Sequence, residues 1–194
     1  MLPTATTANF NPGDIYNLNQ DVTLYAIWEE ELYLKSTEYL IGKAPDNYTK
    51  GMETKYKEGD EYVSRILPEI LRYHESRTTI ADFKNNILTN AETIEIYDKD
   101  NNKLDEKDLV GTNMTLKLIK GSQTIEIKLI VTGDTNGDGK LTSADISGVT
   151  NHRLGLKILE GAYLQAADVN YDGKITSADK SAIVNVRLNL MEDF

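Results

Sequence analysis

The sequence predicts an α+β protein: a small, mainly antiparallel β module with one short helix, followed by an all-α tail built from two loop–helix repeats. Apolar and polar residues alternate over several short stretches before residue 132, which is typical of strands buried on one face. Ile80, Phe83 and Ile87 have the spacing of one helical face. After residue 132 a twelve-residue pattern occurs twice, each time followed by helical apolar spacing.

The strands of the β module are predicted from alternation at 32–40, 61–66, 93–97, 114–118 and 124–131. Gly121 and Ser122 supply the turn of a hairpin between the last two stretches. A Thr is the predicted N-cap of the helical segment at 78–87. We divide the chain into an N-terminal segment (1–31), a middle module (32–132) and a tail (133–194).

Composition narrows the classes of function. The net charge of −10 argues against binding to nucleic acid or anionic lipid, because both require a basic surface. The absence of Cys excludes disulfides, thiolate metal sites and Cys nucleophiles. No apolar run reaches 18 residues, so no membrane insertion is expected. Residues 1–8 lack the features of a signal peptide, so a secreted parent would make this chain a fragment.

The repeat in the tail has the pattern of calcium-binding loops. Residues 134–145 and 168–179 are identical at nine of twelve positions, and each begins D-x-N-x-D-G. Calcium prefers six to eight oxygen ligands, and such loops supply them from positions 1, 3, 5, 7 and 12. Gly139 and Gly173 lie where each loop must bend sharply. The predicted ligands of two Ca²⁺ ions are Asp134, Asn136, Asp138, Lys140 and Asp145, then Asp168, Asn170, Asp172, Lys174 and Asp179, with each Lys contributing its backbone carbonyl.

A third acidic stretch, at 98–103, resembles these loops only in its spacing. It has Lys103 where a calcium loop needs Gly, and Leu109 at position 12. We therefore predict a hairpin turn there.

The surroundings of the two loops resemble those of a type I dockerin. Each loop is followed by a helix, predicted at 143–154 and 177–190, and the first loop directly follows a strand instead of a helix. The segment 157–167 fits the connecting helix of that family. The resemblance implies two calcium ions and a cohesin partner, on a scaffoldin or surface protein of a cellulosome-type assembly for polysaccharide degradation.

The same resemblance implies which residues contact the partner. Loop positions 10 and 11 carry the same residues in both repeats, which predicts a nearly two-fold surface that docks in either of two orientations. The basic pair that many dockerins have at helix positions 17 and 18 is missing, so the choice of cohesin stays open. The implied contact residues are Ser143, Ala144, Thr150, Asn151 and Arg153, then Ser177, Ala178, Val184, Asn185 and Arg187. Ile146, Val149, Leu154, Ile183, Val186 and Leu188 are expected in the core of the tail.

Weaker resemblances concern the upstream parts. The strand predicted at 21–28 is similar to the closing strand of a Listeria–Bacteroides repeat, and the middle module resembles one common before dockerins in secreted Firmicutes proteins. They imply a secreted or surface location on a Gram-positive bacterium. The oligomeric state is not determined by the sequence, and a monomer is expected.

We expect no enzymatic activity. The two histidines, His74 and His152, have no partner pattern, and no G-x-S-x-G, H-E-x-x-H or phosphate-binding loop occurs. Two alternatives to attachment remain. In the first, the tail is a calcium-rigidified end piece packed on the middle module. In the second, the middle module binds glycans through some of the eleven tyrosines, although tyrosines that fill a half-buried sheet are the favoured explanation.

Overall fold

The computed structural model describes residues 30–68, 78–191 and 194. The strand predicted at 21–28 and His74 lie outside these residues. The chain divides between Glu31 and Leu32, and residues 32–194 form one compact unit. No helix within the described ranges is long and apolar enough to cross a bilayer.

The secondary structure of this unit is mixed, which confirms the predicted α+β class. Its elements, in chain order, are β1 Leu34–Ser36, β2 Leu40–Ile41, β3 Thr54–Lys55, β4 Tyr62–Ile66, α1 Ile80–Asn85, β5 Leu88–Thr89, β6 Thr93–Tyr97, β7 Thr115–Lys120, β8 Gln123–Val131, α2 Ser143–Arg153, α3 Gly161–Ala167 and α4 Ser177–Arg187. The strands form a small sheet of order β3-β1-β5 and a larger sheet of order β2-β4-β8-β7-β6.

Strand pairing is antiparallel except between β4 and β8, which run parallel with Val63 opposite Leu129. The predicted hairpin joins β7 and β8 in continuous register from Thr115↔Lys128 to Lys120↔Gln123. The strand predicted at 32–40 is instead two strands. The Ser36 hydroxyl oxygen accepts hydrogen bonds from the N–H groups of Glu38 and Tyr39, and this local turn ends β1.

Helix α1 begins as predicted with a Thr cap. The Thr79 hydroxyl oxygen accepts from the Asp82 N–H, and the Asp82 carboxylate accepts from the Thr79 N–H, a complete capping box. Ile80 and Phe83 are fully buried, and Phe83 stacks on Tyr39 with ring centroids 5.0 Å apart. The apolar face of α1 therefore belongs to the core of the middle module, as its spacing indicated.

Segment 98–102 forms the turn that was predicted for it. Asp98 Oδ1 accepts from the N–H groups of Asp100 and Asn102, both at 2.8 Å. The chain then returns so that Leu104 N–H reaches the Ile96 carbonyl. The Asp98 carboxylate thus organises the turn at the end of β6.

The tail has its own apolar cluster, in which Leu141, Val149, Ile183 and Val186 are buried. Two of the core predictions are wrong: Leu154 and Leu188 are 66% and 48% exposed. Helices α2 and α4 end one residue before these leucines, so the helical periodicity that placed them in the core no longer applies. The connecting helix, α3, is shorter than the predicted segment and begins at Gly161.

The tail also packs on the larger sheet. Ala162 and Ala166 of α3 form an apolar cluster with Ile130 of β8 and the partly buried Tyr62. The N–H of Thr132 donates to the Ile66 carbonyl, and the N–H of Gly133 donates to the Ala166 carbonyl, both at 2.8 Å. Strand β8 thus continues into the first loop while held on both sides.

Candidate functional site

The first loop closes around the Asp134 carboxylate. Asp134 is fully buried, and its Oδ1 accepts from the N–H groups of Gly137 at 2.7 Å and Asp138 at 3.2 Å. Its Oδ2 accepts from the N–H groups of Gly139 at 3.0 Å and Thr112 at 2.9 Å. The last of these donors belongs to the middle module, so one predicted ligand links both parts of the chain.

The last position of this loop has a second role. Asp145 Oδ2 accepts from the Thr142 N–H and hydroxyl at 2.8 and 2.9 Å, while Oδ1 accepts from the Thr135 N–H at 3.0 Å. Asp145 is therefore the third residue of a capping box that starts α2. This capping role was not predicted, although both repeats contain the T-x-x-D signature.

The second loop repeats this geometry in a more exposed setting. Asp168 accepts from the N–H groups of Gly173 at 2.8 Å and Asp172 at 3.1 Å. Asp179 caps α4 through Thr176 and accepts from the Val169 N–H at 3.2 Å. In contrast to Asp134, Asp168 is only partly buried.

Burial disfavours the charged form of the loop carboxylates. It raises the pKa of Asp134 to about 6, although three backbone N–H donors act in the opposite direction. Burial also raises the pKa of Asp145 and of Asp168. None of the salt bridges between described residues involves a loop carboxylate. A cation with affinity for oxygen ligands would relieve this cost.

Of the six remaining predicted ligand residues, Lys140 is half-buried and Lys174 is exposed, and each would contribute its backbone carbonyl. Asn136, Asp138, Asn170 and Asp172 are exposed. In the part of the chain that the structure describes, no three Asp, Glu, His or Cys side chains converge as a ready-made metal centre. The donor set fits calcium in chemistry because it consists of carboxylate, amide and carbonyl oxygens. The ligand assignment remains a prediction.

The two loops contact the middle module differently at position 4. Gly137, with φ 85°, lies so close to the middle module that an added Cβ would come within 2.8 Å of the Thr112 carbonyl oxygen. In the second loop this position is Tyr171, whose hydroxyl lies 2.8 Å from that of Thr132. Its ring also packs against the Arg65 guanidinium at 4.0 Å. Comparison of the two repeats shows this Gly-to-Tyr difference, but the contacts of Gly137 and Tyr171 with the middle module are visible only in the structure.

The predicted partner residues lie on α2 and α4, which contact each other. The side chains of Ser143, Ala144, Ser177, Ala178 and Arg153 are exposed, and those of Thr150, Asn151, Val184, Asn185 and Arg187 are half-buried. Large apolar side chains that the sequence argument did not assign to this surface are also exposed just after the helices, namely Leu154, Leu156 and Ile158 after α2, and Leu188, Leu190 and Met191 after α4.

His152 has a structural contact. Its Nδ1 accepts a hydrogen bond from the Leu159 N–H at 3.0 Å and holds the chain that leaves α2.

The tail is a tandem loop–helix module: a helix follows each calcium-type loop, β8 precedes the first loop and α3 precedes the second. Residues 132–189 match the model of the dockerin type I domain, and this segment is a dockerin of that type. The match begins one residue before the predicted start of the tail. No curated protein and no solved structure matches the chain.

Proposed function

We propose that the dockerin attaches a larger secreted bacterial protein to a cohesin, and that calcium is required for this attachment. The observation that carries the proposal is that the same Ser-Ala pair is exposed at the same position of both repeats. Ser143 and Ala144 open α2, and Ser177 and Ala178 open α4, with all four side chains at the surface. A repeated, exposed sequence of this kind is suited to recognition by a partner.

Calcium would be held by the ten predicted loop residues. A bound ion would supply two positive charges and accept oxygen ligands from positions 1, 3, 5, 7 and 12 of each loop. Asp145 and Asp179 connect the loops to the helices because each also caps the helix that carries the docking residues. Order in the loops is thereby coupled to the orientation of α2 and α4.

The attachment is tested by a pull-down with the complete set of cohesins encoded in the source genome. We expect at least one cohesin to be retained in calcium and released by EDTA. Failure of every cohesin to bind in calcium would contradict the proposed attachment. Binding that persists in EDTA would contradict only the calcium requirement.

The exposed leucines are expected to contribute to the docking surface. We predict that the double variant Leu154→Asp/Leu188→Asp lowers cohesin affinity at least about tenfold, because burying one Leu on association contributes about 1.5–3 kcal/mol. Isothermal titration calorimetry measures this affinity. The matched control is Leu88→Asp, since Leu88 is 58% exposed in the middle module. Equal cohesin affinity of the double variant and the control would show that Leu154 and Leu188 do not belong to the cohesin-binding surface.

The two Ser-Ala pairs are expected to support two docking orientations. Ser143→Asp alone should weaken cohesin binding only about twofold, because the orientation that uses Ser177 remains. The double variant Ser143→Asp/Ser177→Asp should weaken binding by about tenfold or more. Each Asp lies in the first turn of its helix, where a negative charge favours the helix. Complete loss of binding in either single variant would show that only one orientation is used.

A second candidate function is that the tail is a rigid end piece of the protein. The packing of α3 on β8 and the contact of Tyr171 with Thr132 favour this reading. The two functions predict different results: a rigid end piece would fold and respond to calcium but would have no affinity for any cohesin.

A further inference from the structure

A cavity of about 200 Å³ lies between the middle module and the second calcium loop. Its polar lining includes three tyrosines, two cationic side chains, one carboxylate and one amide, namely Tyr39, Tyr48, Tyr171, Arg65, Lys50, Glu38 and Asn86. This volume is below the range of about 300–1,000 Å³ that is typical of drug-sized ligands. An occupant would therefore have about the size of one sugar ring or one amino acid.

Arg65 is held beside this cavity by an unusual backbone. Its φ of 63° lies in the left-handed region, which residues other than Gly adopt rarely. The register of β4 against β8 shifts between Val63 and Ile66, so Arg65 lies at a bulge or similar irregularity of this strand pair. Bulges redirect a side chain, and strained residues of this kind concentrate at functional sites.

Among the described residues, the guanidinium of Arg65 contacts aromatic rings and has no hydrogen-bond acceptor. Its central carbon lies 4.7 Å from the Tyr48 ring centroid and 4.0 Å from that of Tyr171. Its Nε is buried without a hydrogen-bond partner. No salt bridge between described residues involves this guanidinium. Because ring contacts engage the faces of a guanidinium, the N–H groups in its plane remain for a ligand.

The chemistry of these groups selects the ligand. A planar fork of N–H donors matches a carboxylate. Tyr48, Tyr171 and Asn86 line the cavity and offer hydroxyl and amide groups to the hydroxyls of a sugar ring. The net charge of −10 disfavours a ligand with several negative charges. We propose that the cavity binds a single uronic-acid residue, with its carboxylate on Arg65 and its ring among the tyrosines.

The test is titration of the full chain, in calcium, with D-galacturonate and D-glucuronate, followed by NMR and calorimetry. We expect saturable binding of at least one uronate and at least about tenfold weaker binding of neutral D-galactose, because the charge-assisted hydrogen bonds are lost. An N-acetylated amino acid tests whether the carboxylate alone is sufficient. Binding of that compound as tightly as the uronate, or equal binding of uronate and galactose, would overturn the proposal, as would no uronate binding.

Variants connect this binding to the cavity. Arg65→Gln should lower uronate affinity at least about tenfold, whereas Lys107→Gln, at an exposed position of the middle module, should leave it unchanged. If Arg65→Gln melts at a lower temperature, Tyr48→Leu serves as the second variant, since Tyr48 lies outside every strand and helix. Undiminished uronate affinity in a folded form of either variant would contradict this location.

Discussion

Removal of calcium with EDTA is expected to abolish most of the helical circular dichroism of the tail and to abolish cohesin binding with it. Asp134, Asp145 and Asp179 are fully buried. Among the described residues, no Lys, Arg or His side chain forms a salt bridge with the loop carboxylates. Without a cation, burial of these carboxylates opposes folding of a segment that has only a small apolar core. At calcium concentrations a hundred times Kd, each site would add about 2.7 kcal/mol to the free energy of unfolding.

This experiment has a built-in reference in the middle module. Its larger sheet has its own core, so the strand signal should persist when the helical signal is lost. Calcium added back should restore the helices and cohesin binding. Magnesium at the same concentration should restore much less, because it requires a smaller, more regular coordination shell. An unchanged spectrum and melting temperature after EDTA dialysis would disprove the role of calcium in folding.

Asp134→Ala is expected to destabilise the protein more than Asp168→Ala, although both residues occupy position 1 of their loops. Loss of the Asp134 carboxylate would leave the N–H groups of Thr112, Gly137 and Gly139 without their acceptor. Each unsatisfied buried donor costs about 1–3 kcal/mol. We therefore expect a loss of about 3 kcal/mol or more for Asp134→Ala, and a smaller loss for the partly buried Asp168. Urea denaturation in calcium measures both.

The control and a second substitution sharpen this comparison. Asp46→Ala removes an exposed carboxylate of the middle module and should leave the unfolding free energy nearly unchanged. Asp134→Asn should also be destabilising, because both carboxylate oxygens of Asp134 accept N–H groups and an amide can supply only one acceptor. Equal losses for Asp134→Ala and Asp168→Ala would show that contact with the middle module adds nothing to the first loop.

Local signals in the sequence predicted local structure well. Alternation placed β6 at 93–97, where the structure has it, and the Gly121-Ser122 turn predicted the β7–β8 hairpin. The helices that follow the two loops begin at the predicted residues, Ser143 and Ser177, where the last Asp of each loop completes a capping box that was not predicted. These features depend on residues that are neighbours in the chain.

The missed features depend on contacts between residues distant in the chain. Alternation shows that 61–66 is a strand, but it contains no information on which strand lies beside it or in which direction. The parallel pairing of β4 with β8 was therefore not predicted. The contact of Gly137 with Thr112 could not be predicted either, since it requires the folded middle module.

Leu154 and Leu188 were assigned to the core for a different reason: the apolar spacing of each helix was extended past the residue at which the helix ends.

The continuation of β8 into the first calcium loop has a mechanical consequence. Tension on a docked dockerin would enter the middle module along β8, which is hydrogen-bonded to β4 on one side and to β7 on the other. Force along a strand loads the bonds of both ladders in shear, so that many must break together rather than one after another. If the dockerin is docked, the resistance of the middle module to pulling through β8 would therefore depend on the β4–β8 and β7–β8 ladders.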